Sequence, residues 1–281
     1  MWRYGVLYRS CILIEQLVAN PATEPEVLSS FPEDTFRNVR VEDILAISNR
    51  AGWVATDKEG RLVATRSGQE LIDARNARLR TRSQVERLID VIQPDWAAMA
   101  IQGRQALLRY ADANVRQCFK EAGLTEGYGE DIVEWWDRLA GRFRGAKDYQ
   151  YTEIGRRGER LSFHRELSRT GIEPQWLALE YSDAGYDLIS RVSVDDGNPL
   201  LIEVKTTTQR WDSAVFFVSR HEWDILSGSD QALFHLWCVR DLPAQHATVT
   251  ISELSDHVPR DCGNGEWKKF CCPFRNFAPS P

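Results

Sequence analysis

The stretch Leu200–Lys205, read as Leu-Leu-Ile-Glu-Val-Lys, constrains this chain more than any other. It has the apolar composition of an interior strand, yet it carries a carboxylate, Glu203, and an ammonium, Lys205, two positions apart. Side chains alternate faces along a strand, so Glu203 and Lys205 point one way while Ile202 and Val204 point the other. Charges at such a place are normally paired or bound to a metal. Upstream, Gly185-Tyr186-Asp187-Leu188-Ile189 places a second acid, Asp187, on a short preceding strand. Asp195-Asp196-Gly197-Asn198-Pro199 between them is a strong turn signal, so the two strands read as a hairpin. Two acids and a lysine thereby reach one edge of a sheet. Plainer readings stand beside this one: a structural Glu203–Lys205 ion pair, and an Asp187 that only stabilises a turn.

The surrounding pattern is mixed. Ile154-Gly155-Arg156-Arg157-Gly158-Glu159 opens a helix running to about Thr170, with Leu161, Phe163 and Leu167 on its inner side. Gln175–Tyr181, Asp183–Ile189, Arg191–Val194, Ala214–Val218 and Ala232–Val239 read as strands. Ser219 caps a helix through about Leu226, and Glu222 stands in the capping-box place, which is a complete local reason for its presence. Glu159, near a helix start, is likewise favoured by the helix dipole in any protein. The order argues a mixed α/β sheet flanked by helices. From Pro259 the tail reads as irregular. Its His257, Cys262, Cys271 and Cys272 lack the Cys-x-x-Cys knuckle of a zinc site.

Asp187, Glu203, Lys205 and Glu159 make a chemically pointed set. Hydrolysing a phosphodiester at neutral pH needs a cation to offset charge building on phosphate oxygens, and an activated water. Mg²⁺, or Mn²⁺ in its place, takes few protein carboxylates and binds substrate phosphate directly. Asp187 and Glu203 suit that role, with the Val204 carbonyl as a backbone ligand. Lys205 is placed to orient the water or stabilise the developing charge. Glu159 is placed to complete the ligand shell or hold a second ion.

These residues carry a family resemblance. Asp187, a hairpin and Glu203-Val204-Lys205, with Glu159 on the preceding helix, resemble the restriction-endonuclease-like nucleases with the Asp…Glu-x-Lys motif. More narrowly, four ordered blocks resemble the NO VEIN C-terminal-like domain of that superfamily. They are Gly155-Arg156-Arg157-Gly158-Glu159, Gly185-Tyr186-Asp187, Ile202-Glu203-Val204-Lys205-Thr206-Thr207, and Phe217-Val218-Ser219 with Glu222. The similarity covers about Ile154–Val239. It implies Asp187, Glu203 and Lys205 as the core site, Glu159 as its helical acid, and Thr206 near phosphate. It also implies a bacterial restriction or antiphage setting, with defence-system partner proteins.

The first half is helical. Tyr8–Ala19, Glu24–Ser30 and Val41–Ala51 read as helices, followed by a hairpin of Gly52–Thr56 and Arg61–Thr65 and a helix capped by Ser67. That is the order of a winged helix, whose third helix enters the major groove in nucleic-acid-binding versions. Arg61, Arg66, Arg75 and Arg78 are placed to touch phosphates, as are Arg80 and Arg82. Against this, Val41–Arg50 offers few basic residues, and winged helices also bind proteins. Ser83–Ile92, Met99–Ala113, Asn114–Ala122 and Glu130–Arg144 continue as helices whose tryptophans suit packing. Gly145–Tyr151 reads as a linker.

The expected architecture is therefore α+β, with a winged-helix-like region at 1–80, a helical bundle at 81–148 and a nuclease-like α/β domain at 151–281. The 281 residues carry a net charge of −6, so nucleic-acid binding must come from local basic patches or from ions at an acidic site. No apolar run reaches the roughly 18 residues of a membrane helix. Met1–Leu17 is too interrupted by charge for a signal peptide, and a cytoplasmic address with free thiols is expected. The expected function is Mg²⁺-dependent hydrolysis of nucleic acid, with double-stranded DNA as substrate and homodimerisation left open. The alternative is a winged-helix binding subunit carrying a non-cutting nuclease-like scaffold.

Overall fold

The computed structural model describes residues 2–30, 39–144, 146–261 and 265–280. Its contacts divide the chain into two units: Met1–Ala100 with Ala106–Trp135, and Ile101–Gln105 with Trp136–Pro281.

In the first unit, α1 (Tyr4–Ala19), α2 (Glu24–Ser30) and α3 (Val41–Arg50) precede the antiparallel hairpin β1 (Val54–Thr56) and β2 (Leu62–Ala64), then α4 (Arg66–Ile72) and α5 (Ala77–Ile92). The expected element order is present. Helical spacing explains the packing: Leu13 and Leu17 of α1 and Ile44, Leu45 and Ile47 of α3 are buried. The cap of α4 is Thr65 rather than Ser67, because the Thr65 hydroxyl accepts from the Gly68 N–H at 3.1 Å. The expected helix Met99–Ala113 is divided. A 3₁₀ stretch, Asp95–Gln102, ends at Gly103, whose φ of +99° no helix accommodates, and α6 (Arg104–Tyr110) starts afresh. α7 (Ala113–Glu121) and α8 (Glu130–Gly141) follow. The half-buried Trp96 meets the buried Phe119 edge to face, and Phe119 meets the buried Trp135 in the same way, so Trp135 packs as expected.

The second unit takes Ile101–Gln105, at the start of α6, and the end of α8 from Trp136, and continues with α9 (Ala146–Thr170). The linker expected at Gly145–Tyr151 is corrected: helix begins at Ala146, and Gly145 lies outside the described residues. The strand expected at Gln175–Tyr181 is also cut short. Only β3 (Gln175–Trp176) is extended, and α10 (Leu177–Glu180) forms a helical turn. Next come β4 (Leu188–Arg191), β5 (Pro199–Thr207), β6 (Val215–Ser219), α11 (Arg220–Ser227), β7 (Ala232–Cys238), β8 (Gln245–Thr250), α12 (Ile251–Ser255) and β9 (Lys269–Pro273).

Among the described residues the main sheet runs β3-β4-β5-β7-β8. β4 and β5 form the expected antiparallel hairpin, with Leu188 opposite Ile202. β5 and β7 are parallel, and β7 and β8 antiparallel, so the sheet is mixed. The tail is not irregular throughout: β9 pairs antiparallel with β6. Alternation along β9 leaves Cys271 exposed and Cys272 buried, so the two thiols point to opposite sides, while Cys262 lies outside the described residues.

The two sheet faces have different partners. Phe234, Leu236, Ala247 and Val249 share a core with Phe216, Val218, Leu226, Leu254 and Phe270 from the β6–β9 pair and its helices. The other face lies under α9: the Trp237 indole N–H donates to Ser162 Oγ at 2.8 Å. Gly158 of α9 lies so close to β5 that an added Cβ would stand 1.8 Å from Thr206 Oγ1 and 3.0 Å from Thr206 Cβ. Gly158→Ala is therefore expected to destabilise the second unit by about 1–3 kcal/mol despite alanine's higher helix propensity. Chemical denaturation checks this; an unchanged or raised midpoint contradicts the close approach.

Candidate active site

The hairpin and α11 assemble the site. Glu203 and Lys205 emerge from β5 on the face opposite α9, and the Lys205 ammonium lies 2.6 Å from Glu203 Oε1. Asp187 sits one residue before β4, with its backbone fixed at both ends. Its N–H donates to the Ile202 carbonyl at 2.9 Å, and its carbonyl accepts from Leu177 and Ala178 at the start of α10. β4 stops there, so β5 has no neighbouring strand backbone for Val204. The Asp187 carboxylate replaces it: the Val204 N–H donates to Oδ2 at 2.7 Å. A residue's N–H and C=O leave a strand on the same edge, so the Val204 carbonyl faces this opening too.

Two further residues join that the sequence reading weighed differently. Glu222 accepts the Ser219 N–H through Oε2 at 2.6 Å, completing the capping box of α11. Its Oε1 also accepts from Lys205 at 2.9 Å, so the cap is at the same time a second carboxylate on the lysine. Glu159 is held by the Arg156 guanidinium (Nη1 to Oε2, 2.5 Å) and by the Trp176 indole N–H at 2.6 Å. Arg156 also pairs with Asp137 at 2.9 Å. Both contacts fall on Oε2, which occupies that oxygen of the ligand shell expected of Glu159 and leaves Oε1 outside these bonds. Glu159 remains at the site as a wall. It lines, with Asp187, Glu203, Glu222, Tyr181 and His221, a pocket of about 540 Å³.

Electrostatics sharpen the picture. Burial, then the neighbouring Glu159 carboxylate, push Asp187 up to about 7, against the pull of Lys205 and the Val204 N–H. Burial and Asp187 push Glu203 well above the carboxylate range. Burial disfavours a charged Lys205, but Glu203 and Glu222 outweigh it and hold the amine above its ordinary value. Glu222, although burial opposes its charge, is held below the usual range by Lys205 and the Ser219 N–H. Asp187 and Glu203 therefore compete for one negative charge, as close carboxylates do.

That frustration fits a hard divalent cation, which would supply the positive charge the pair lacks. Among the described residues no group of three or more His, Cys, Asp and Glu side chains stands ready to hold a metal. Mg²⁺, however, is typically bound through one or two carboxylates, with waters and phosphate oxygens completing its octahedron. Asp187, Glu203 and the Val204 carbonyl are the residues that would hold it.

The nucleic-acid contacts expected from sequence fare unevenly. Thr206 faces α9, away from Glu203 and Lys205, because it is an odd number of residues from both. Its buried hydroxyl has no hydrogen-bond partner among the described residues. A phosphate contact by Thr206 is thereby corrected. In the first unit, Arg61 is paired with Asp57 at 2.9 Å and with Glu59, and Arg66 with Glu70 at 2.9 Å. Arg75 and Arg78 are exposed and show no ion pair among the described residues. The exposed positions of α3 are Glu42, Ala46, Asn49 and Arg50, which carry no net positive charge.

Residues 158–251 match the family model described as Protein NO VEIN, C-terminal. The matched segment runs from α9 to the first residue of α12 and includes Glu159, Asp187, Glu203, Lys205 and Glu222. It bears out the family resemblance of the C-terminal half. No significant match to the chain is found among curated proteins or solved structures. No helix among the described residues is long and apolar enough to cross a membrane.

Proposed function

We propose that the second unit is a metal-dependent nuclease that hydrolyses phosphodiester bonds in DNA. The hairpin acids, the lysine two residues on and the covering helix α9 fit a restriction-endonuclease-like domain. The observation that carries this reading is the junction of β4 and β5. There Asp187 is pinned by the Val204 N–H beside Glu203 and Lys205, at an open pocket. A bound Mg²⁺ would act as a Lewis acid on the phosphate and lower the pKa of a coordinated water. Asp187 and Glu203, which both line that pocket, would supply the carboxylate oxygens that hold the ion. Lys205 keeps a positive charge next to it, where charge builds on the phosphate oxygens in the transition state. The first unit, read as a winged helix, presents Arg75 and Arg78 to the backbone of the nucleic acid and delivers it to the site.

Plasmid incubated with Mg²⁺ or Mn²⁺ is expected to be cut by the wild type. Lys205→Ala is expected to lose about 10²–10³-fold or more in rate. Equal cutting by the two proteins would defeat the assignment.

One observation favours a second reading. Lys205 is closed between two carboxylates and Glu159 is tied to Arg156, an arrangement that also suits a rigid, non-cutting scaffold beneath a binding module. Salt-dependent DNA binding without metal-stimulated cleavage identifies that case.

A further inference from the structure

Glu222 is placed for more than capping. A capping glutamate on a solvated helix needs one oxygen for the N-cap N–H and leaves the other to water. Here Oε2 takes the Ser219 N–H at 2.6 Å while Oε1 reaches back to Lys205, 17 residues earlier on the central strand, at 2.9 Å. The Lys205 side chain is 15% exposed and that of Glu222 23%, so this pair is largely out of water and its geometry matters. Glu203 is the other carboxylate on Lys205, at 2.6 Å, but Glu203 is also a candidate cation ligand. A carboxylate shared with a cation holds an ammonium less firmly. Glu222 is fixed by its own helix start and has no such second duty.

We propose that Glu222 is the positioning residue of this site: anchored by the capping box of α11, it holds the Lys205 ammonium at the pocket when Glu203 is shared with a cation. The inference rests on the nuclease reading for its catalytic consequence, but not for the placement of Lys205. It makes α11 part of the site. The helix start sets where the amine stands, and the amine sets where negative charge is stabilised.

The test uses the full chain and two variants. Glu222→Gln keeps a side-chain acceptor for the Ser219 N–H, since glutamine also serves in capping boxes, and removes the charge facing Lys205. Glu222→Ala removes both. Glu222→Gln is expected to unfold within about 2 °C of wild type, a shift on the order of 1 kcal/mol or less. It is expected to bind Mn²⁺ within about 3-fold of the wild-type affinity, to keep KM, and to lose about 30–100-fold in kcat. Glu222→Ala is expected to lose both kcat and thermal stability.

A second readout needs no activity. Mass spectrometry follows the labelling of Lys205 by an amine-directed ester at fixed pH. Labelling is expected to rise about tenfold in Glu222→Gln, as a less firmly held amine reacts faster. Unchanged Lys205 labelling in both variants overturns the positioning role, whatever the activity. Wild-type kcat in Glu222→Gln overturns it as well. If the wild type cuts nothing while Lys205 labelling rises in both variants, the positioning role stands and the nuclease reading fails.

Discussion

Asp187→Asn is expected to make the metal-free protein more stable at pH 8 and to abolish cleavage. The substitution keeps an oxygen for the Val204 N–H, now 2.7 Å from the Asp187 carboxylate, and removes a charge that Glu203 and Glu159 oppose. Asp187 titrates at about 7 in the fold, against 3.8 for its ordinary value, so between those limits the folded state binds the extra proton. Its contribution to stability is fully present below about pH 4 and is lost as pH rises through 7. The variant has no such loss. Its advantage over wild type should therefore be absent near pH 4 and grow to as much as about 4 kcal/mol at pH 8, the roughly 3 pH units between those limits at about 1.4 kcal/mol each. The buried His235 and His246 are held near 3 by desolvation, so both proteins lose stability as pH falls from 6.5 toward 3, and this limb cancels in the comparison. Millimolar Mn²⁺ should raise the wild-type midpoint and leave the variant unmoved. Cleavage should fall by about 10³-fold or more, because the metal contributes several kcal/mol to the transition state. A variant that is less stable than wild type at pH 8, or that still gains stability from Mn²⁺, contradicts the account.

Arg104→Met is expected to be the most destabilising single change in the second unit. Arg104 is 2% exposed and forms a forked pair with Glu180, whose Oε2 it meets through Nε at 3.1 Å and whose Oε1 it meets through Nη2. Gln105 adds a bond to Oε2 at 2.9 Å. The same short segment holds the next residues too, for the Ser182 N–H donates to the Gln102 carbonyl at 3.2 Å. Removing the guanidinium leaves the Glu180 carboxylate buried beside an amide. Such half-broken pairs cost about 3–5 kcal/mol, or a midpoint lower by roughly 10 °C. Tyr181 and Ser182 line the pocket, so the wall moves with them and activity falls as well. The double variant Arg104→Met with Glu180→Met should recover most of the stability, because an apolar pair of similar volume replaces a buried ion pair at little cost. Thermal unfolding of the four proteins of this cycle checks it. A single-variant loss below about 1 kcal/mol, or a double variant no better than the single, contradicts the role assigned to the pair.

The parts of the site that were legible in sequence are those governed by local rules. Period-two alternation put Glu203 and Lys205 on one face, and the Asp195–Pro199 turn brought Asp187 alongside. Local rules also hid what they did not need to explain. Glu222 satisfies a capping box completely, so nothing in the sequence announces its second bond to Lys205. The Arg156–Glu159 pair is visible as an i, i+3 spacing, but the Asp137 and Trp176 side chains that lock it are distant in the chain. The same limit applies to the fold. Trp176-Leu177-Ala178-Leu179 is an apolar run too short for periodicity to separate strand from helix, and backbone bonds to the Asp187 carbonyl turn it into α10. β9 carries two cysteines and ends at a proline, a weak strand signal, and it is extended because β6 offers it an edge. Thr206 follows the motif directly, yet the same alternation that pairs Glu203 with Lys205 sends it to the helix side.

On the proposed reading, Asp187 and Glu203 form a seat for a divalent cation beside Lys205. Anomalous diffraction from crystals of the full chain soaked in Mn²⁺ tests it most directly. A manganese peak is expected within about 2.0–2.4 Å of oxygens from both carboxylates, and no peak there in Asp187→Asn. Crystals that show no manganese between them, or that show it unchanged in the variant, would contradict it.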